Sequence, residues 1–213
     1  MSNKLGARVW IAMIVFSLVG QLAWTIENMY LNVYVYNTIT DDPGVISLMV
    51  ASSAVVATVT TLLMGALSDK LGKRKLFISF GYMLWGLSTL LFTLPDTKTT
   101  AVLFPGANAV AVTAGLVIAL DCVMTFFGST ANDAALNAYI TDVTNKSNRG
   151  RTESVLAIMP LVSMLVVFGG FDGLTQAGKW DSFFTIFGVL MMAAGAFGLL
   201  ILKDVPLEKQ SGG

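Results

Sequence analysis

Gly65-Ala66-Leu67-Ser68-Asp69-Lys70-Leu71-Gly72-Lys73-Arg74-Lys75 is the stretch on which the fold turns. One apolar run, Val45–Leu67, stops in it, and a second, Leu76–Leu94, starts directly after it. Each run has about the 20 residues that a helix needs to cross a bilayer. Gly65 lets a neighbouring helix come close. Asp69 stands at the membrane edge, where an acid needs a cation or a helix N-terminus. Gly72 permits a tight turn, and the cations at 73–75 hold the loop in water.

Working outward, four more apolar runs appear: Val9–Tyr36, Ala109–Ala138, Ser154–Phe171 and Ser182–Leu202. The first and fourth are longer than a bilayer requires, so they should tilt or protrude. Lys4 and Arg8 ahead of the first run imitate a signal peptide. The run is too long for one, and Trp24, Glu27 and Asn28 stand where small cleavage-site residues belong, so the reading is an uncleaved span. Asp41-Asp42-Pro43-Gly44, Pro95-Asp96, Pro105-Gly106 and Gly173 through Gly178 supply turns. The expected fold is an all-α integral membrane bundle of six spans over residues 1–203. Residues 204–213 form a tail whose Ser211-Gly212-Gly213 end reads as a linker or engineered scar.

Composition agrees. The chain is 55% hydrophobic, 12% charged and has a mean hydropathy of +0.73. A soluble domain could not hide that much apolar surface. Thirteen cations balance thirteen acids, so no bulk field recruits nucleic acid. Histidine is absent and Cys122 is the one cysteine, which leaves no disulfide and no ligand cluster for zinc, haem or iron–sulfur. No nucleotide-binding glycine motif occurs. Neither a cofactor nor a metal is expected. Without a catalytic constellation at matching depth, neither is an enzyme.

Lysine and arginine fall on one side. Lys4, Arg8, Lys70, Lys73, Arg74, Lys75, Lys146, Arg149, Arg151, Lys203 and Lys209 precede or follow alternate spans, against Lys98 and Lys179 on the other side. Cation-rich loops stay cytoplasmic. Both termini are therefore expected in the cytoplasm of a plasma (bacterial inner) membrane.

The loop quoted first resembles the signature of the major facilitator superfamily, G-x-L-x-D-x-x-G-x-[RK]-[RK]. Gly65, Leu67, Asp69, Gly72, Lys73 and Arg74 occupy its positions. The resemblance implies a transporter fold of two six-helix halves, of which this chain covers the N-terminal one. A second stretch, Asn132-Asp133-Ala134-Ala135-Leu136-Asn137-Ala138-Tyr139-Ile140-Thr141-Asp142 with Asn148-Arg149-Gly150-Arg151, is similar to the glycoside–pentoside–hexuronide:cation symporters, the melibiose permease group. That group's sodium site uses paired aspartates in helix two. Here helix two reads Ala51-Ser52-Ser53-Ala54-Val55-Val56-Ala57-Thr58-Val59-Thr60-Thr61, with no acid, which speaks against a sodium site of that type.

Polar groups at bilayer depth mark pathways or interhelical contacts. In span four, Asp121, Thr125, Gly128, Asn132 and Tyr139 fall within roughly 60° of one another at 100° per residue. In span one Gln21, Thr25, Asn28 and Asn32 form an analogous stripe, with Glu27 about 130° away, facing a neighbouring helix. Spans three and six carry no ionisable residue in their cores and read as lipid-facing all round. In span five Pro160 suggests a kink, and Gly169 with Gly173 suggests close packing.

These features point to a secondary-active transporter working by alternating access. No ATP motif is present, so an ion gradient supplies the energy. The expected solute contacts are Gln21, Thr25, Asn28, Asn32, Asp121, Thr125 and Asn132, an amide- and carboxylate-rich lining suited to a small polar solute such as a sugar. Asp121 and Glu27, read as the only acids well inside the core, are the expected coupling residues, with a proton as the ion. Six helices make half a pathway, so the partner is a second copy in a parallel homodimer or a complementary six-helix half. The alternative is a six-helix scaffold, receptor or orphan half that transports nothing. In a Cys122→Ser background, cysteines at Lys73 and Lys98 should be labelled by an impermeant thiol reagent from opposite sides of sealed vesicles; labelling of both from one side would refute the topology.

Overall fold

The computed structural model describes residues 5–204, and these contain helices and no strand. The tail at 205–213, with its Ser211-Gly212-Gly213 end, lies outside the described residues, as do Lys4 and Lys209. Eight helices follow in order: α1 (Ala7–Thr38), α2 (Pro43–Leu71), α3 (Arg74–Leu91), α4 (Thr97–Leu103), α5 (Ala109–Val143), α6 (Arg149–Gly170), α7 (Asp172–Gln176) and α8 (Trp180–Ile201).

Five of them, α1, α2, α5, α6 and α8, are long and apolar enough to cross a membrane. The remaining span, α3, has 18 residues, or about 27 Å at 1.5 Å per residue. Its lower apolarity has a cause. It begins with Arg74 and Lys75, and it buries Ser79, Tyr82, Ser88 and Thr89.

Local chemistry sets the ends. Asp42 accepts a hydrogen bond from Gly44 N at 2.8 Å with Pro43 in the first turn, so the expected turn is also the start of α2. Asp96 accepts from Thr99 N at 2.9 Å and opens the short α4, which lies in what read as an irregular loop. The N–H and hydroxyl of Thr99 together hold the Asp96 carboxyl below the usual aspartate range. Gly72, at φ 62°, takes the left-handed conformation that stops α2. In α6 the regular helix breaks after Leu156 and resumes at Met159, with Pro160 in the first turn of the second piece, so the expected kink is present. Two wide π turns interrupt the longest helices, at Ile26–Tyr30 in α1 and Ser129–Leu136 in α5.

The core runs along α1, α3, α5 and α8. Phe16, Tyr82, Trp85, Phe183, Phe184 and Phe187 are its largest members. α3 and α8 pack along their whole length. Neither is lipid-facing all round, which corrects the sequence reading. Each has two faces. In α3, Leu76, Phe80, Leu84 and Leu87 are exposed, while Ile78, Gly81, Tyr82, Trp85 and Gly86 are buried. In α8, Val189 and Leu200 are exposed, while Phe187, Gly188, Met191, Gly195 and Gly198 are buried. Small residues make the seam. A Cβ on Gly195 would meet Ser79 O at 2.5 Å and Met83 N at 2.7 Å, and one on Gly188 would meet Gly86 O at 2.8 Å. Lipid is as apolar as leucine, so close packing of this kind, and not water exclusion, holds membrane helices together.

By contrast α2 leans mainly on α5, and α6 mainly on α1, leaving most of their surfaces exposed. A Cβ on Gly65, Gly169 or Gly173 would meet nothing within 4 Å. Among the described residues no helix approaches these glycines, contrary to the expected close packing. Gly195→Ala should therefore force α3 and α8 apart and cost about 1–3 kcal/mol, as overpacking does. Gly169→Ala should be neutral or stabilising by up to about 1 kcal/mol, through helix propensity. Thermal unfolding of the purified protein in detergent checks the pair.

Candidate functional site

Three polar layers stack through the bundle. The middle one is sealed. Glu27 sits in the π turn of α1 and Asp121 and Thr125 one turn apart in α5; they are 6%, 2% and 1% exposed. Thr125 Oγ1 donates to Glu27 Oε1 at 2.6 Å and also lies 2.8 Å from the carbonyl of Asp121. A hydroxyl has one hydrogen, so both contacts are full hydrogen bonds together only when Glu27 holds a proton and donates it to Thr125. Glu27 Oε2 and Asp121 Oδ1 are buried with no partner among the described residues. Glu27 does face a neighbouring helix, away from the amide stripe.

At the end of the bundle where Arg8, Arg74 and Arg149 lie, a cleft of about 440 Å³ opens between α1, α5 and α6. Ser17, Gln21, Asn132, Asn137, Thr141 and Glu153 line its polar part. At the opposite end a second cleft of similar volume is lined by Asn28, Tyr30, Asn37, Asp172 and Gln176. There Tyr30 Oη donates to Asp172 Oδ1 at 3.0 Å. Between the clefts, Thr25 Oγ1 and Ser163 Oγ touch at 3.1 Å, joining α1 to α6.

The predicted solute contacts are thus distributed, not gathered. Gln21 and Asn132 share the first cleft and Asn28 lines the second. Thr25 lies in the partition, and Asp121 and Thr125 are sealed in the middle layer. Asn32 is half-buried; it and Asn28 each donate to the carbonyl four residues back in their own helix, at 2.8 and 2.9 Å. The stripe on α5 does not meet one neighbour throughout. Thr125 meets Glu27 of α1, whereas Asn132 Oδ1 accepts from Tyr82 of α3 at 2.9 Å. Gly128 is filled by Trp85: a Cβ there would meet its ring at 2.7 Å.

Sequence reasoning missed four participants. Asp133 is a third acid within the membrane layer, accepting from Asn132 Nδ2 at 3.1 Å, so Glu27 and Asp121 are not alone. Its position inside the fourth apolar run was the available signal. Ser163 and Asp172 carried none, because each acts through a helix far away in sequence, while Tyr82 shares a helical face with Gly86 and Thr89 that was not read.

The loop quoted at the outset closes on itself. Arg74, 4% exposed, pairs with both Asp69 and Asp142 and donates to Ser68 Oγ. Asp69, 63% exposed, therefore finds its cation in its own loop. Gly72 turns the chain, and Lys73 sits exposed at the start of α3.

The family model of the Major Facilitator Superfamily matches residues 8–213. No curated protein and no solved structure matches the chain.

Removing Arg74 strands a nearly buried carboxylate, Asp142, whereas neutralising Asp69 changes an exposed group. Arg74→Ala should cost about 3–5 kcal/mol, the penalty of breaking a buried pair. Asp69→Asn should cost less than about 1 kcal/mol. Denaturation midpoints in detergent separate the two; equal losses would contradict the pairing.

Proposed function

The chain belongs to the Major Facilitator Superfamily, a family of membrane transporters, and from that premise we propose that it forms half of an alternating-access path for a small polar solute, a sugar by class, driven by protons. The observation that carries this reading is the sealed layer of Glu27, Thr125 and Asp121 at the centre of a bundle with a polar cleft at one end and a mixed, largely apolar one at the other. A buried carboxylate is costly unless paired or protonated. Here each acid has one oxygen without a partner. Such an arrangement takes up a proton and offers an acceptor to a solute hydroxyl.

Amides and carboxylates suit a polyhydroxylated solute, because each accepts or donates in two directions. Gln21, Asn132 and Asn137 on one side and Asn28 and Asn37 on the other supply that lining. The similarity of the Asn132–Asp142 stretch to the melibiose permease group favours a sugar over other neutral solutes. In this reading Thr25, Asn28, Asn32, Thr125 and Asn132 contact solute in successive states of the cycle, and Asp121 carries the coupling proton with Glu27 as its neighbour.

A second six-helix bundle completes the path. The exposed sides of α2 and α6 are the surfaces such a bundle would cover, and a parallel copy of this chain meets the topology. Asp69 and its loop lie at that junction, so Asp69→Asn would bias access without unfolding the protein. The setting proposed is a bacterial inner membrane with both termini in the cytoplasm, and the cation distribution supports that orientation.

Purified protein in proteoliposomes, given an inward proton gradient and a panel of radiolabelled mono- and disaccharides, tests the reading. Asp121→Asn should fold as the parent does and lower gradient-driven uptake to that of empty vesicles. If Glu27→Gln abolishes uptake while Asp121→Asn retains it, the two roles are reversed. If neither change matters, or no sugar is taken up, the proposal fails.

A further inference from the structure

A groove of about 270 Å³ runs along the outside of the bundle between α2, α3 and α5. Met64, Phe77, Phe80, Leu84, Phe126 and Phe127 form its walls, with almost no polar lining. Its floor is closed because α3 and α5 touch there: a Cβ on Gly81 would meet that of Ala131 at 2.5 Å.

Lys73 stands just ahead of the groove residues of α3, one turn before Phe77. Lys73, Phe77, Phe80 and Leu84 are spaced four, three and four residues apart and share one face of α3. Phe77 and Leu84 lie about 6 and 16 Å along the helix from Lys73. One leaflet of hydrocarbon is about 15 Å deep, half the bilayer core, so the groove reaches from the headgroup edge to the midplane.

The cations at this end differ in their partners. Arg8 donates to the carbonyls of Leu200 and Ile201 at 2.6 Å, Arg149 to that of Thr141 at 3.1 Å, and Arg74 serves Asp69 and Asp142. These arginines are held by the protein. Lys70 and Lys73 are exposed and form no ion pair among the described residues. Asp69, the nearest acid in sequence, is already paired with Arg74, which it shares with Asp142.

We propose that this groove binds an anionic phospholipid, with one acyl chain between α2, α3 and α5 and the phosphate held by Lys70 and Lys73. Basic groups beside an intramembrane groove favour anionic headgroups, and each lysine near such a surface contributes about 1 kcal/mol, roughly fivefold. The site uses none of the residues placed in the solute path and shares with the transport reading only the loop that carries Asp69.

Native mass spectrometry of the detergent-purified chain, with dioleoyl-phosphatidylglycerol and dioleoyl-phosphatidylcholine as equimolar probes, tests it. The parent should retain phosphatidylglycerol over phosphatidylcholine by roughly 30-fold, the value of two lysines. Lys70→Gln/Lys73→Gln should erase that preference while phosphatidylcholine retention stays unchanged. Leu84→Trp and, separately, Leu76→Trp should fill the groove and lower retention of both lipids, with circular dichroism reporting that the helices persist. No preference in the parent, a preference that survives the double lysine change, or displacement by soluble glycerol phosphate with the tryptophan variants unaffected would each overturn the proposal.

Discussion

The contact of α3 with α8 is the interaction on which the remainder of the bundle rests. No water is available within a bilayer to be expelled, so two helices stay together only by fitting closely and by matching polar groups. Gly86, Gly188 and Gly195 bring the two backbones into direct contact. From that seam α3 reaches every other core helix. Tyr82 Oη is 2.6 Å from the carbonyl of Phe16 in α1, and Gly81 lets α3 meet Ala131 in α5. Trp85 fills the space beside Gly128, and Arg74 ties α3 to the end of α5 through Asp142. The least apolar of the long helices is the most enclosed because its serine, threonine, tyrosine and glycine positions are the ones that neighbours use.

The same constraint governs the ends. Orphan carbonyls at a helix terminus need donors, and arginine, with its five donors in a fixed fork, meets that need better than lysine. Arg8 closes the end of α8 and Arg149 the end of α5, while Arg74 bridges two carboxylates. Lysines 70 and 73 are left to solvent and headgroups. A cation-rich loop therefore contains two kinds of cation, one holding helices together and one facing outward, and the topology rule counts both alike.

Much of this was legible in the sequence. Apolar run length marked the long helices within a few residues, and the 3.6-residue period turned Glu27 away from its helix's amides toward a neighbour. The signature loop was legible because its chemistry is local: Gly72 turns and Asp69 finds Arg74 five residues on. The buried face of α3 was not read, although Ser79, Gly81, Tyr82, Gly86 and Thr89 repeat at helical spacing. Glycine, serine and threonine look like filler when a span is scanned for charge. In a membrane they mark the packed face. The π turns were not legible either, since nothing in Ser129–Leu136 separates a wide turn from an ordinary one. The stripe of α5 itself is divided between two neighbours, α1 at Thr125 and α3 at Gly128 and Asn132.

That scattering has a consequence for how the polar layers connect. Glu27 lies inside the π turn of α1, and Thr125 stands four residues before the π turn of α5. The hydrogen bond that seals the acids is therefore flanked on both helices by backbone whose ordinary i to i−4 ladder is already interrupted. Interrupted ladders are where a helix rotates or bends at least cost, since fewer regular bonds must be broken. Below the seal, Gln21 and Asn132 face one cleft, and above it Asn28 faces the other, with the Thr25–Ser163 contact between them along α1. Rotation of the outer half of α1 would break that contact and the Thr125–Glu27 bond, and it would also slide Tyr30 and Tyr34 against Phe168, Phe183, Phe184 and Trp180. The amides are presented to either end while the acids are withheld from both, so access to the carboxyls depends on movement between α1 and α5, whatever the solute.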